Sequence, residues 1–217
     1  SMPVVLSAFG MQDMGTTLLD FIITYLYKFV LIVTPFIYSI VMCYRLLAKY
    51  VENGSLAYLL NSKHGRTKIV LTQWVNLFLG LVVMISFNTG LMIVCCSMMF
   101  KGALDIPRFL ILNLGLLVLQ LFIAAFCFMF ACLFTDVKYS IGCGAGVISL
   151  FIIMQMFFSV YDSAKILLYC NPLSLFNPQQ LVNGNIVSVI SLVVLLGLTA
   201  IFLIIGLLGF RRKDLAL

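Results

Sequence analysis

The side chains best suited to acid–base chemistry near neutral pH are seven carboxylates (Asp13, Asp20, Glu52, Asp105, Asp136, Asp162 and Asp214) and one histidine, His64. General acid–base catalysis needs such groups in pairs within hydrogen-bond reach, and a proton-coupled carrier needs one deep in the membrane. Here the acids are scattered singly and none falls deep in an apolar run. His64 sits in a basic loop and reads as a solvated side chain. Of the seven cysteines, Cys43, Cys95, Cys96, Cys127, Cys132 and Cys143 fall in or beside apolar runs, where free Cys behaves as a small apolar residue. Cys170 is the one placed in a water-facing stretch, without an obvious mate. The chain has no CxxC pair and no histidine beside a cysteine, so no metal site is expected. Gly142, Gly144 and Gly146 would need a preceding strand and a following GK[ST] to cradle phosphate. Lacking both, they read as places where helices approach closely. The chain is expected to be non-catalytic by itself and to bind no cofactor.

Binding remains. Amides interrupt the apolar runs at Gln73, Asn76, Asn88, Asn113, Gln120 and Gln155. Buried amides in a membrane bundle bond from helix to helix; Asn76, Asn88, Asn113, Gln120 and Gln155 could equally line a substrate path. The sequence leaves both readings open.

The strongest polar interruption is residues 51–70, VENGSLAYLLNSKHGRTKIV. Asn53 can cap a short helix, Leu56, Leu59 and Leu60 then share one face, and Gly65 ends it. A short helix at the membrane surface, tied to a long span on either side, can pass force from a soluble partner to both. It can also merely anchor the loop.

The elements that must hold these groups follow from composition. Of the 217 residues 64% are hydrophobic and 9% charged, and mean hydropathy is +1.20. A soluble domain carries about 25% charged residues, so this is an all-α integral membrane protein with the bilayer as its solvent. Five runs are long enough to span: 19–46, 69–100, 109–134, 141–160 and 186–210. They lack period-two alternation, which excludes a barrel. Thr34-Pro35 predicts a kink in the first span. Placing 51–70 in the cytoplasm puts Arg45, Lys49, Lys63, Arg66, Lys68, Lys138, Arg211, Arg212 and Lys213 inside, and leaves Lys101, Arg108 and Lys165 outside. The net charge of +6 is thus topological and not a nucleic-acid footprint. Residues 1–18 read as an outer interfacial segment. Residues 161–185, with Asn171-Pro172, Asn177-Pro178 and Asn183-Gly184-Asn185, read as an outer re-entrant or interfacial segment. The whole chain, 1–217, forms one transmembrane domain.

The run from Glu52 to Ile69 resembles the cytoplasmic coupling region of type-2 ATP-binding-cassette (ABC) exporter permeases. Glu52, Gly54, Ser55, Leu59, Leu60, Ser62, Arg66 and Lys68 match that pattern in order, and Lys63-His64 stands where the family often has proline. Asn171-Pro172-Leu173 resembles the family's outer N-P-L step. Phe210-Arg211-Arg212-Lys213-Asp214-Leu215 resembles its closing F-x-R-R-D-L, with one basic residue extra. Members usually have six spans, and the one without a counterpart here would be the first.

The resemblance implies a permease subunit in the plasma membrane of a bacterium, paired with a second, identical or related permease subunit and with cytoplasmic ABC ATPase subunits. ATP and Mg would be held by those ATPases. Residues 51–68 would form the coupling region, with Glu52, Gly54, Ser55, Leu56, Tyr58, Leu59, Leu60, Ser62 and Arg66 at the docking surface. The cargo would be lipid-like, a peptide or an antimicrobial. Two other classes compete: a non-ABC transporter or channel, and a non-transport docking or immunity subunit using the same loop passively.

Overall fold

The computed structural model describes residues 18–48, 66–100, 104–134, 136–158 and 171–212. Every regular element among them is helical. Helix α1 covers 18–48, α2 Arg66–Met99, α3 Ile106–Leu133 and α4 Val137–Phe158. A 3-10 turn at Pro172–Leu175 and a short helix α5, Pro178–Val182, precede α6, Ile186–Arg212. Helices α2, α3, α4 and α6 are long and apolar enough to cross a membrane. The protein is an all-α, multi-pass membrane bundle.

Helix α3 is the axis. It packs against α1, α2, α4, α5 and α6, and 72% of its most apolar window is buried, against 17–22% for the other three. A helix apolar all round is the one that belongs in the middle. Leu119 through Ala125 are buried without a break, with Phe128 and Cys132 below them. The outer helices bury one stripe each and turn the rest outward: Leu71, Val83 and Phe87 on α2, and Val189, Val193 and Ile204 on α6, are exposed. In hydrocarbon that outward face carries no penalty.

Helix α1 departs from the single kinked α-helix expected of its sequence. It runs as α at Leu18–Ile22, π at Ile23–Val30, α at Leu31–Cys43 with Pro35 inside, and π again at Tyr44–Ala48. Val30 and Tyr44 both keep right-handed helical dihedrals, so the run is continuous through these joints. The π turns end at Val30, one residue before the carbonyl that Pro35 leaves without a backbone donor.

Sharp local signals set the other ends. Asp105 caps α3 through a bond from Arg108 N–H (3.4 Å), Pro107 sits in the first turn, and Arg108 Nε meets Asp105 Oδ2 at 3.1 Å. Asn171 and Asn177 each cap the turn that their following proline opens. α5 closes as a Schellman turn: Asn185 N–H reaches Gln180 O and Gly184 N–H reaches Leu181 O, both 3.1 Å, with Gly184 at φ +70°.

Two close approaches lock outer helices to the axis. A Cβ on Gly206 of α6 would stand 3.2 Å from Met129 Cα, and one on Gly144 of α4 3.4 Å from Cys127 Cα. Of the three glycines expected to permit close packing on α4, only Gly144 faces α3. Gly142 and Gly146 have nothing described within 4 Å.

Candidate functional site

Chain connectivity divides the bundle into two ends. At one, Tyr44–Ala48 lies against α2 and α4. Exposed Arg45, Lys68, Lys138 and Arg211 gather there with Asp136. The opposite end holds the Asp105–Arg108 pair, both exposed, and the 171–185 segment. The basic excess at the first end follows the charge bias of a cytoplasmic face.

Residues 51–65 would bridge α1 to α2 at that basic end. The proposed docking residues Glu52, Gly54, Ser55, Leu56, Tyr58, Leu59, Leu60 and Ser62 lie outside the described residues. Arg66 is the first residue of α2. Because Tyr44–Ala48 touches α2, the two helices flanking the loop meet where it begins and ends.

The amides divide by position. Asn113 and Gln120 are buried, seven residues apart, and so on one face of α3 about 10 Å apart along its axis. Asn113 Nδ2 donates to Phe109 O (2.8 Å), while its Oδ1 accepts from Thr89 Oγ1 of α2 (2.8 Å). Buried Tyr27 of α1 meets the Phe109 ring edge-on at 6.2 Å, one helical turn from Asn113. Gln120 Nε2 donates to Ile32 O (3.0 Å) and Leu31 O (3.3 Å) of α1. Both amides therefore bond across helices. Asn76 is exposed on α2, and Asn88 and Gln155 are half-buried on α2 and α4.

The sequence reading missed Thr89, which bonds Asn113 across helices, and Tyr27, which packs beside it on Phe109. A lone Thr or Tyr inside an apolar run carries no signal, since each is also an ordinary packing residue. Their common helical phase with a buried amide shows only once α1, α2 and α3 are placed together.

At the other end, Asn171 is buried and does two jobs. Its Oδ1 accepts from Leu173 N–H (3.0 Å), and its Nδ2 donates to Phe151 O of α4 (2.9 Å). Phe176 and Leu181 then close over Gly115 of α3, where a Cβ would meet both side chains. Gly115 is about 14 Å along α3 from Ile106. The 171–182 segment thus enters the bundle from the Asp105–Arg108 end and does not lie across it.

No group of three or more His, Cys, Asp or Glu among the described residues could hold a metal ion. The described acids, Asp20, Asp105 and Asp136, stand at helix ends.

Comparison with known proteins gives a family match. The family model described as ABC-2 family transporter protein covers residues 3–215. Neither the curated proteins nor the solved structures contain a match to this chain. A family model spanning nearly all of the sequence, on a polytopic helical bundle with a buried central helix, decides the assignment: the chain belongs to the ABC-2 family of transporter membrane proteins.

Proposed function

We propose that this permease subunit couples ATP hydrolysis on separate cytoplasmic ABC ATPases to export of a lipid-like, peptide or antimicrobial cargo. The observation that carries the reading is the family match across residues 3–215. Charge placement supports it: among the described residues no acid is buried, Asp20, Asp105 and Asp136 all being at least partly exposed, so these offer no buried carboxylate relay for proton coupling. The energy then comes from another subunit, which holds ATP and Mg.

Residues 51–68 are the joint. Leu56, Tyr58, Leu59 and Leu60 fill a cleft on the ATPase, with Glu52, Gly54, Ser55, Ser62 and Arg66 around them. Closure of two ATPases on nucleotide moves α1 and α2 together, because the loop joins them at the end where they touch. A second permease subunit, identical or related, completes the pathway in the plasma membrane of a bacterium, and Asn76, Asn88 and Gln155 are candidates for its wall.

Co-purification tests this. The tagged chain, solubilised from membranes in mild detergent, should carry an ABC ATPase, and Leu59→Asp with Leu60→Asp should release it or uncouple hydrolysis from transport. If no ATPase binds the unsubstituted chain, or if the double variant transports normally, the coupling role is wrong.

A further inference from the structure

Helix α1 gathers several helix-loosening features around one point. Its π turns run from Ile23 to Val30. Pro35 follows and offers no N–H to the Leu31 carbonyl. Thr34 Oγ1 donates back to Val30 O and Ser39 Oγ to Pro35 O, both at 2.9 Å. Such hydroxyl-to-carbonyl bonds bend helices.

Gln120 answers this weak point from α3. Its Nε2 donates to Leu31 O and Ile32 O, the carbonyls at the proline break. Its Oε1 is buried and accepts no bond from any described residue. A side chain present only to fill space would be apolar, because an orphaned buried acceptor is unfavourable. Here the donors are used and the acceptor is idle, so the carbonyls at the break explain why an amide stands at this position.

The two halves of α1 are held differently. Above the break, α5 packs on Ile23–Val30 and the Tyr27 ring meets Phe109 edge-on at 6.2 Å. Below it, Ile40, Cys43 and Tyr44 of α1 pack toward α3 and α4, lining a small gap with Cys127, Ser140 and Gly144.

We propose that Leu31–Pro35 is a hinge in α1 and that Gln120 is its latch, a positioning residue that sets the angle of the 31–48 segment against α3. From Leu31 to Ala48 is about 26 Å, so a swing of about 10° moves the lower end by about 4–5 Å. That end leads into residues 51–65. The use of the hinge for coupling rests on the permease reading above; the hinge itself does not.

The test is the distance between spin labels at Arg45→Cys and Arg211→Cys, both exposed positions. The chain, with its native cysteines replaced, is held in lipid nanodiscs and diluted with unlabelled protein. Gln120→Leu should broaden the distance distribution or shift it by about 4–5 Å. Adding Pro35→Ala, which returns an N–H to Leu31 O, should restore the original distribution. A residue that only packs would lower the melting temperature without moving the labels, and Pro35→Ala would not rescue it. An unchanged distribution in Gln120→Leu, or no reversal by Pro35→Ala, overturns the latch. Should Gln120→Leu fail to fold, Gln120→Asn, one methylene too short to reach, takes its place. Loss of ATPase co-purification would sink the coupling role and leave this measurement standing.

Discussion

Thr89 Oγ1 and Asn113 Oδ1 lie 2.8 Å apart in the buried interior, joining α2 to α3. The same hydroxyl is 2.7 Å from Ile85 O, so its one proton is shared between two acceptors. Asn113 Nδ2 is committed to Phe109 O. The bond therefore adds a link between helices that apolar packing alone would leave free to slide.

That relationship gives a measurable coupling. Thr89→Val removes the donor and should destabilise the bundle by about 1 kcal/mol, and Asn113→Leu by more, since Asn113 also bonds Phe109 O. The double variant should be less unstable than the sum, with a coupling of about 0.6–1.7 kcal/mol. Unfolding in mixed micelles measures all three, and strict additivity would mean that the pair does not interact.

Gly115 should tolerate no side chain. A Cβ there meets Leu181 and, at 3.0 Å, Phe176 Cε2. Gly115→Ala is expected to cost about 1–3 kcal/mol as the 176–182 segment is pushed out. Gly142→Ala and Gly146→Ala, inside α4 with nothing described within 4 Å, should instead stabilise by about 0.5–1 kcal/mol. Thermal melts of the three variants side by side decide whether site or residue type matters.

The two Asn-Pro steps should differ in weight. Asn171→Ala loses a cap and a bond to Phe151 O from a buried position, about 2 kcal/mol together. Asn177→Ala loses only a longer cap bond, 3.3 Å to Gln180 N–H, and should cost about 0.5–1 kcal/mol. Asn171→Asp keeps the acceptor but buries a charge in place of the donor, so it should be worse than Asn171→Ala. Chemical denaturation ranks them, and equal losses at 171 and 177 would contradict the tie to α4.

Orientation is open to labelling. With native cysteines replaced, Lys138→Cys should react with a membrane-impermeant maleimide only after cells are broken open. Arg108→Cys should react in intact cells. Both positions are exposed, so access is set by sidedness alone. The reverse pattern would turn the bundle over and put the 51–65 loop outside.

What the sequence determined by itself is what short-range chemistry fixes. Apolar runs of spanning length must be helices in lipid, because a backbone with no water must bond to itself. Asn171, Asn177 and Gly184 announce caps and a left-handed turn through local geometry alone. The matches from Glu52 to Lys68 likewise pointed to the family that the comparison shows. Tertiary structure decided the rest. An all-apolar helix carries no stripe to say which side faces a neighbour, so the central place of α3 was not legible. Gly144 differs from Gly142 and Gly146 only in what lies across from it. Pro35 predicted a break at 35, but nothing local pointed to Gln120, 88 residues beyond Ile32, as the group that bonds the carbonyls there. Such pairings are set by helix phase and packing, and a single residue reports those only once its neighbours are in place.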